Sequence, residues 1–148
     1  MELKRVVVTG IGAVTPVGNT AEETWHNMLA GVSGAAPITH FNAEKFKTQF
    51  ACEVKGFDAT QFIDRKEARK MDLYCQFGLA AAQMAVEDSG MDVETLDRNR
   101  AGVVMGVGIG GMRTYEEEVI SYAKTADTIG PKFSPFFVPK MIADICAG

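Results

Sequence analysis

Two apolar runs that each end in glycine frame this chain and limit its fold more than any other feature. Val6-Val7-Val8-Thr9-Gly10-Ile11-Gly12 stands near one end, and Val103-Val104-Met105-Gly106 stands beyond residue 100. Clustered β-branched residues favour buried strands, so strands are expected over residues 5–10 and 101–105. Two helical patterns lie between them. Thr20 is a good N-cap with Glu23 at the capping-box position, and Trp25, Met28, Leu29 and Val32 follow at i, i+3, i+4, i+7. Gly31 or Gly34 ends this helix. Asp64 with Glu67 repeats the capping pattern, and one helix is expected from there to Glu87, stopped by Gly90. Its inner stripe is Met71, Cys75, Leu79, Ala82 and Val86, while Gly78 and Ala80–Ala82 with Ala85 leave room for another backbone.

A weaker strand over 49–54, an acidic-start helix over 115–124, a loop over 125–135 and a helix from 138 complete the pattern. Strand–helix alternation of this kind predicts an α/β domain with a largely parallel sheet. No internal repeat, low-complexity segment or linker interrupts it. The last helix carries Met141, Ile142 and Ile145 with little polar surface, so the chain reads as part of a longer protein.

With 148 residues, 47% hydrophobic and 23% charged, the chain is long enough for a core and globular in balance. Its net charge of −4 argues against general nucleic-acid binding. No apolar run is long enough to span a membrane, and Met1-Glu2-Leu3-Lys4-Arg5 is no signal peptide. Three cysteines without a CxxC pair suggest reduced thiols in a cytosol-like compartment.

Four motifs invite chemistry. Gly106-x-Gly108-x-x-Gly111 has the letters of a dinucleotide fingerprint, but the helix expected after it starts late and the acidic residues nearby sit too early for the ribose contact. Thr9-Gly10-Ile11-Gly12 invites the same reading, and Pro16 opposes a helix directly after it. Phe133-Ser134-Pro135-Phe136-Phe137-Val138-Pro139 holds two rings between prolines, with Pro139 placed where a first helical turn tolerates it. Arg65, Lys66, Arg69 and Lys70 crowd a helix start, either as a solvated face or as a patch for an acidic partner. Cys52, Cys75 and Cys146 are expected to be buried free thiols, and His26 and His40 form no metal pattern.

Together these motifs resemble the type II β-ketoacyl-acyl carrier protein synthases, condensing enzymes of the thiolase superfamily, from Val6 to Gly148. The resemblance implies that residues 1–148 are the first part of a ketosynthase domain, the N-terminal half of a thiolase-like α/β fold. It implies an acyl-pocket wall at Gly108, Ile109, Phe136 and Phe137, and carrier-protein docking at Lys66, Arg69 and Lys70. The family's nucleophilic cysteine and two histidines would lie beyond Gly148, so no catalytic residue is expected within the chain. No cofactor or metal is implied. The implied partners are acyl carrier protein, acyl and malonyl thioesters and a second copy of the whole protein, in the cytoplasm. Two other classes stay open: a non-catalytic chain-length subunit, and a nucleotide-dependent oxidoreductase built on residues 106–111.

Overall fold

Thr20 starts the first helix as its sequence dictates. In the computed structural model, which describes residues 3–125, 127 and 134–143, α1 spans Ala21–Leu29. The Thr20 hydroxyl accepts from the Glu23 N–H at 3.1 Å, and the Glu23 carboxylate reaches back to the Asn19 N–H at 2.7 Å. Gly31 closes the helix with φ at 71°: its N–H bonds the Met28 carbonyl, and the Val32 N–H bonds that of Asn27. This paired pattern requires a left-handed residue, which glycine adopts without strain. The stripe of Trp25, Met28, Leu29 and Val32 is nonetheless exposed.

The chain divides into two compact units. The first contains residues 1–58 and 80–91, and the second contains residues 59–79 and 92–148. In the first unit, β1 (Ala36–Pro37) pairs antiparallel with β2 (Phe50–Ala51), Ala36 opposite Ala51. A turn closes on the Thr15 N–H bond to Gly18 at 2.8 Å, so Pro16 sits in a turn and no helix follows the first glycine run directly.

The second unit holds α2 (Arg65–Ala68), the start of α3 (Leu73–Ser89), α4 (Met112–Thr125) and α5 (Phe137–Met141). The helix expected from Asp64 to Glu87 is thus broken over residues 69–72. Side chains explain the break. Gln76 donates to the carbonyls of Ala68 and Met71 at 2.9 and 3.3 Å, satisfying groups that a continuous helix would have bonded itself. The Asp72 carbonyl then accepts the Cys75 and Gln76 N–H groups and opens α3. From Met71 to Ala81 no residue is exposed, as expected of a helix buried on several sides, but Ala82 of the expected stripe is exposed.

No strand forms over residues 5–10 or 101–105, and the parallel sheet expected from them is not built among the described residues. The valines there are exposed, Val104 by 96%. A strand is a property of a pair: each N–H and C=O needs a ladder partner alongside, and none reaches these segments. The expected strand over 49–54 shrinks to the two residues of β2. The last helix also ends early, at Met141, because Ile142 is extended (φ −111°, ψ 148°). Phe133, Cys146 and most of the expected 125–135 loop lie outside the described residues.

Candidate functional site

The two glycine motifs meet quite different surroundings. Gly10 and Gly12 lie directly on the α3 backbone. A Cβ at Gly12 would collide with the Ala81 carbonyl and sit 2.7 Å from the Ala85 nitrogen, and one at Gly10 would meet Ala85 and Ser89. These partners recur every four residues along α3, so the small side chains there admit the loop. Between the glycines, the Ile11 N–H donates to the Asp88 carboxylate at 2.8 Å. Such a loop is a packing device, and a phosphate has no access to its inner side.

In the second motif Gly106 and Gly108 have open space where a Cβ would be, so neither is needed for close approach of a neighbour. The trailing pair carries that role. A Cβ on Gly110 would stand 2.7 Å from the Tyr74 ring, and one on Gly111 (φ 71°) would stand 2.8 Å from the Lys140 carbonyl of α5. α4 starts at Met112, directly after Gly111 and earlier than expected. Its first turn is already tied to an anionic group: the buried Thr114 hydroxyl donates to the Asp72 carboxylate at 2.6 Å. The neighbouring Arg113 guanidinium is held above its usual pKa first by the hydrogen bond to Glu117 and by that residue's charge, with Asp72 adding to it. A carboxylate beside this helix start opposes the pyrophosphate that a dinucleotide fold would place there.

The proline segment is held by its polar backbone. The Ser134 N–H donates to Glu118 of α4 at 3.1 Å, while the Ser134 hydroxyl and carbonyl accept from the Phe136 and Phe137 N–H groups. Pro139 occupies the first turn of α5 as its sequence position requires. The Phe137 ring packs on Tyr115 of α4 at 6.3 Å between centroids, whereas Phe136 is 39% exposed. Tyr74 completes the arrangement, its hydroxyl donating to the Ile142 carbonyl at 2.7 Å. The second unit therefore gathers the end of the glycine loop, Tyr74, α4 and α5. Ile109 projects from that loop with 79% of its surface exposed.

The cationic cluster is split by the helix break. Asp64 caps α2 through the Lys66 N–H at 2.7 Å, but Glu67 does not complete the capping box. It pairs with the Lys70 ammonium at 2.6 Å instead. Lys66 and Arg69 are exposed and form no ion pair among the described residues. An open hollow lined by residues 60–65 adjoins them.

Of the cysteines, Cys75 is wholly buried as expected, though the helix break puts it in the first turn of α3. Cys52 is exposed, against expectation. His26 is exposed, and His40 lies 3.8 Å from Glu53. No cluster able to hold a metal occurs among the described residues, nor any helix long and apolar enough to cross a membrane. Tyr74, Asp72, Gln76 and Thr114 are the site's supports that motif reading missed. For Asp72, Tyr74 and Gln76 the only sequence signal is polarity within a largely apolar stretch, and Thr114 carries no such signal.

Residues 3–148 match the family model described as "Beta-ketoacyl synthase, N-terminal domain". The 3-oxoacyl-[acyl-carrier-protein] synthase 2 of Vibrio cholerae is 48% identical over 149 residues, covering all of this chain and 35% of that protein. The protein of the same name from Synechocystis is 43% identical over 148 residues, again with all of this chain and 35% of the relative. The chain thus spans about a third of the length of these relatives. Among solved structures, a ketosynthase of a type II PKS, in complex with its acyl-carrier protein and bound to the hexaketide, superposes with TM-score 0.75 at 28% identity, covering 99% of this chain and 37% of that one. The ishigamide ketosynthase/chain length factor gives 0.71 at 29%, covering 95% and 34%. These neighbours bear out the α/β, thiolase-like fold class, even though the strands expected over residues 5–10 and 101–105 are not paired among the described residues. The chain belongs to the β-ketoacyl synthase family, whose N-terminal domain it matches.

Proposed function

We propose that the protein carrying this chain is a type II β-ketoacyl-acyl carrier protein synthase that elongates fatty acyl chains. The observation that carries this reading is 43–48% identity, along the whole chain, to synthases named for that reaction. A cysteine beyond Gly148 attacks the primer thioester and releases the carrier thiol. Malonyl-acyl carrier protein loses carbon dioxide, with two histidines assisting. The resulting carbanion attacks the acyl-enzyme thioester, expels the cysteine thiolate and leaves a chain two carbons longer.

In this reading, residues 1–148 supply the pocket wall and the docking face, not the reacting groups. Gly108, Ile109, Phe136 and Phe137 border the acyl chain. An apolar, rigid wall suits a saturated tail, and Phe137 fixed on Tyr115 is rigid in that sense. Lys66 and Arg69 meet the acidic carrier protein, with Lys70 partly committed to Glu67. The exposed valines at 6–8 and 103–104 are surface that the rest of a cytoplasmic homodimer would cover.

The ishigamide neighbour favours a second reading, a chain-length subunit without the nucleophile. The higher identity to the elongating synthases ranks it second. Incubating the whole protein with acyl- and malonyl-acyl carrier protein separates the two. The first reading expects carbon dioxide release and a product two carbons longer, both abolished when the cysteine is replaced. A protein that binds both carriers and never forms an acyl-enzyme contradicts it.

A further inference from the structure

We infer that Tyr74 is a positioning residue that couples the glycine loop to the Phe136–Phe137 segment, so that the two parts of the proposed pocket wall move as one. This inference rests on the acyl-pocket reading for its effect on specificity, but not for the coupling itself.

The tyrosine uses both of its ends. Its ring faces Gly110, where even a methyl group would stand 2.7 Å from Cε1 and Cζ. Its hydroxyl donates to the Ile142 carbonyl at 2.7 Å, across 68 residues of sequence. Ile142 is the residue at which α5 stops, so the bond holds the carbonyl that follows the last helical turn. Tyr74 itself is half-buried near the start of α3, whose first turn is tied through Asp72 to Thr114 of α4. The ring therefore has a fixed base, and a shift of the loop at Gly110 must move the hydroxyl. Gly111 touches α5 directly as well, which gives the loop a second route to the same helix. A double-mutant cycle separates the two routes.

The experiment uses Tyr74→Phe, Gly110→Ala and the double variant of the whole protein. Gly110 has no left-handed φ, so alanine there is resisted first by the Tyr74 ring at 2.7 Å, then by Val107 Cγ2 at 3.0 Å, and not by the backbone. Amide exchange is followed at residues 140–143, and acylation rates are measured with short and long primers. The coupling predicts that each single variant speeds exchange at 140–143 by roughly fivefold, the factor that loss of one ordinary hydrogen bond gives. It predicts that adding Gly110→Ala to Tyr74→Phe speeds it little further. Long-primer acylation should fall by a similar factor while short primers react within about twofold. Strictly multiplicative effects of the two substitutions, or unchanged exchange in Tyr74→Phe, would overturn the coupling. Coupled exchange with no dependence on primer length upholds the coupling and contradicts the pocket-wall reading instead.

Discussion

The two glycine motifs look alike as letters and differ in what lies against them. In the first, Gly10 and Gly12 are pressed on the backbone of α3 and leave no room for any side chain. In the second, Gly106 and Gly108 face open space, and only Gly110 and Gly111 are packed, against Tyr74 and α5. The first motif is an internal joint. The second is a loop anchored at its far end, with Ile109 held out between its free and fixed glycines. A glycine pattern thus says that side chains are missing, and only the neighbours say why.

Substitution should expose that difference most strongly in stability. Gly12→Ala drives a methyl group into the Ala81 carbonyl, and overpacking against backbone that cannot yield should destabilise by about 3 kcal/mol or more. Gly106→Ala and Gly108→Ala meet nothing, and each should change stability by less than ~1 kcal/mol, in the stabilising direction through the unfolded chain. Denaturation midpoints of the whole protein decide this. Equal losses at Gly12 and Gly106 would erase the contrast.

Activity should show the reverse contrast. Ile109→Phe adds bulk to the exposed loop, so folding should be nearly unaffected while the proposed tunnel narrows. An overpacked site of this kind typically loses 1–3 kcal/mol, so long-primer acylation should fall roughly ten- to a hundredfold with short primers spared. A uniform loss that follows the melting temperature would mark Ile109 as a packing residue.

Much of the first unit was legible in the sequence because its signals are local. Thr20, Glu23 and Gly31 act within a turn of α1, and the small residues of α3 advertise the close approach that Gly10 and Gly12 make. The strands expected over residues 5–10 and 101–105 are not paired among the described residues, because a ladder partner is a distant matter that β-branched composition does not supply. The break before α3 was hidden because its cause is a side chain, Gln76, capturing the carbonyls of Ala68 and Met71. In the site, Pro139 and the placement of the Phe137 ring were legible from proline chemistry. Tyr74 was not, since Gly110 and Ile142 stand 36 and 68 residues away along the chain.

A smaller effect is expected on the proposed docking face. Lys66→Glu with Arg69→Glu should lower the efficiency of carrier-linked substrates by roughly tenfold at low salt, less as ionic strength rises. A thioester without the carrier should react normally, and an equal loss on both would make the patch structural. Neither change should touch the glycine contrast.

The smallest effect belongs to the β1–β2 region. The Glu53 carboxyl lies below its ordinary value of 4.5, first through the Thr39 hydroxyl bond, then the Thr39 N–H, with His40 adding its charge. A carboxyl lowered on folding stabilises above its unfolded value and loses that contribution as pH falls through the folded one. Glu53→Gln should therefore be slightly less stable than the native chain at pH 7, with the gap closing below about pH 4.5. Primer-length preference should not change. A gap that persists well below pH 4.5 would contradict the assignment.

The most direct test of the pocket wall is a structure of the whole protein trapped as its long-chain acyl-enzyme. The chain should run within van der Waals contact, roughly 4 Å, of Ile109 and Phe137, with Tyr74 still bonded to the Ile142 carbonyl. An acyl chain lying against other residues, with Ile109 buried in protein contacts, would contradict the account.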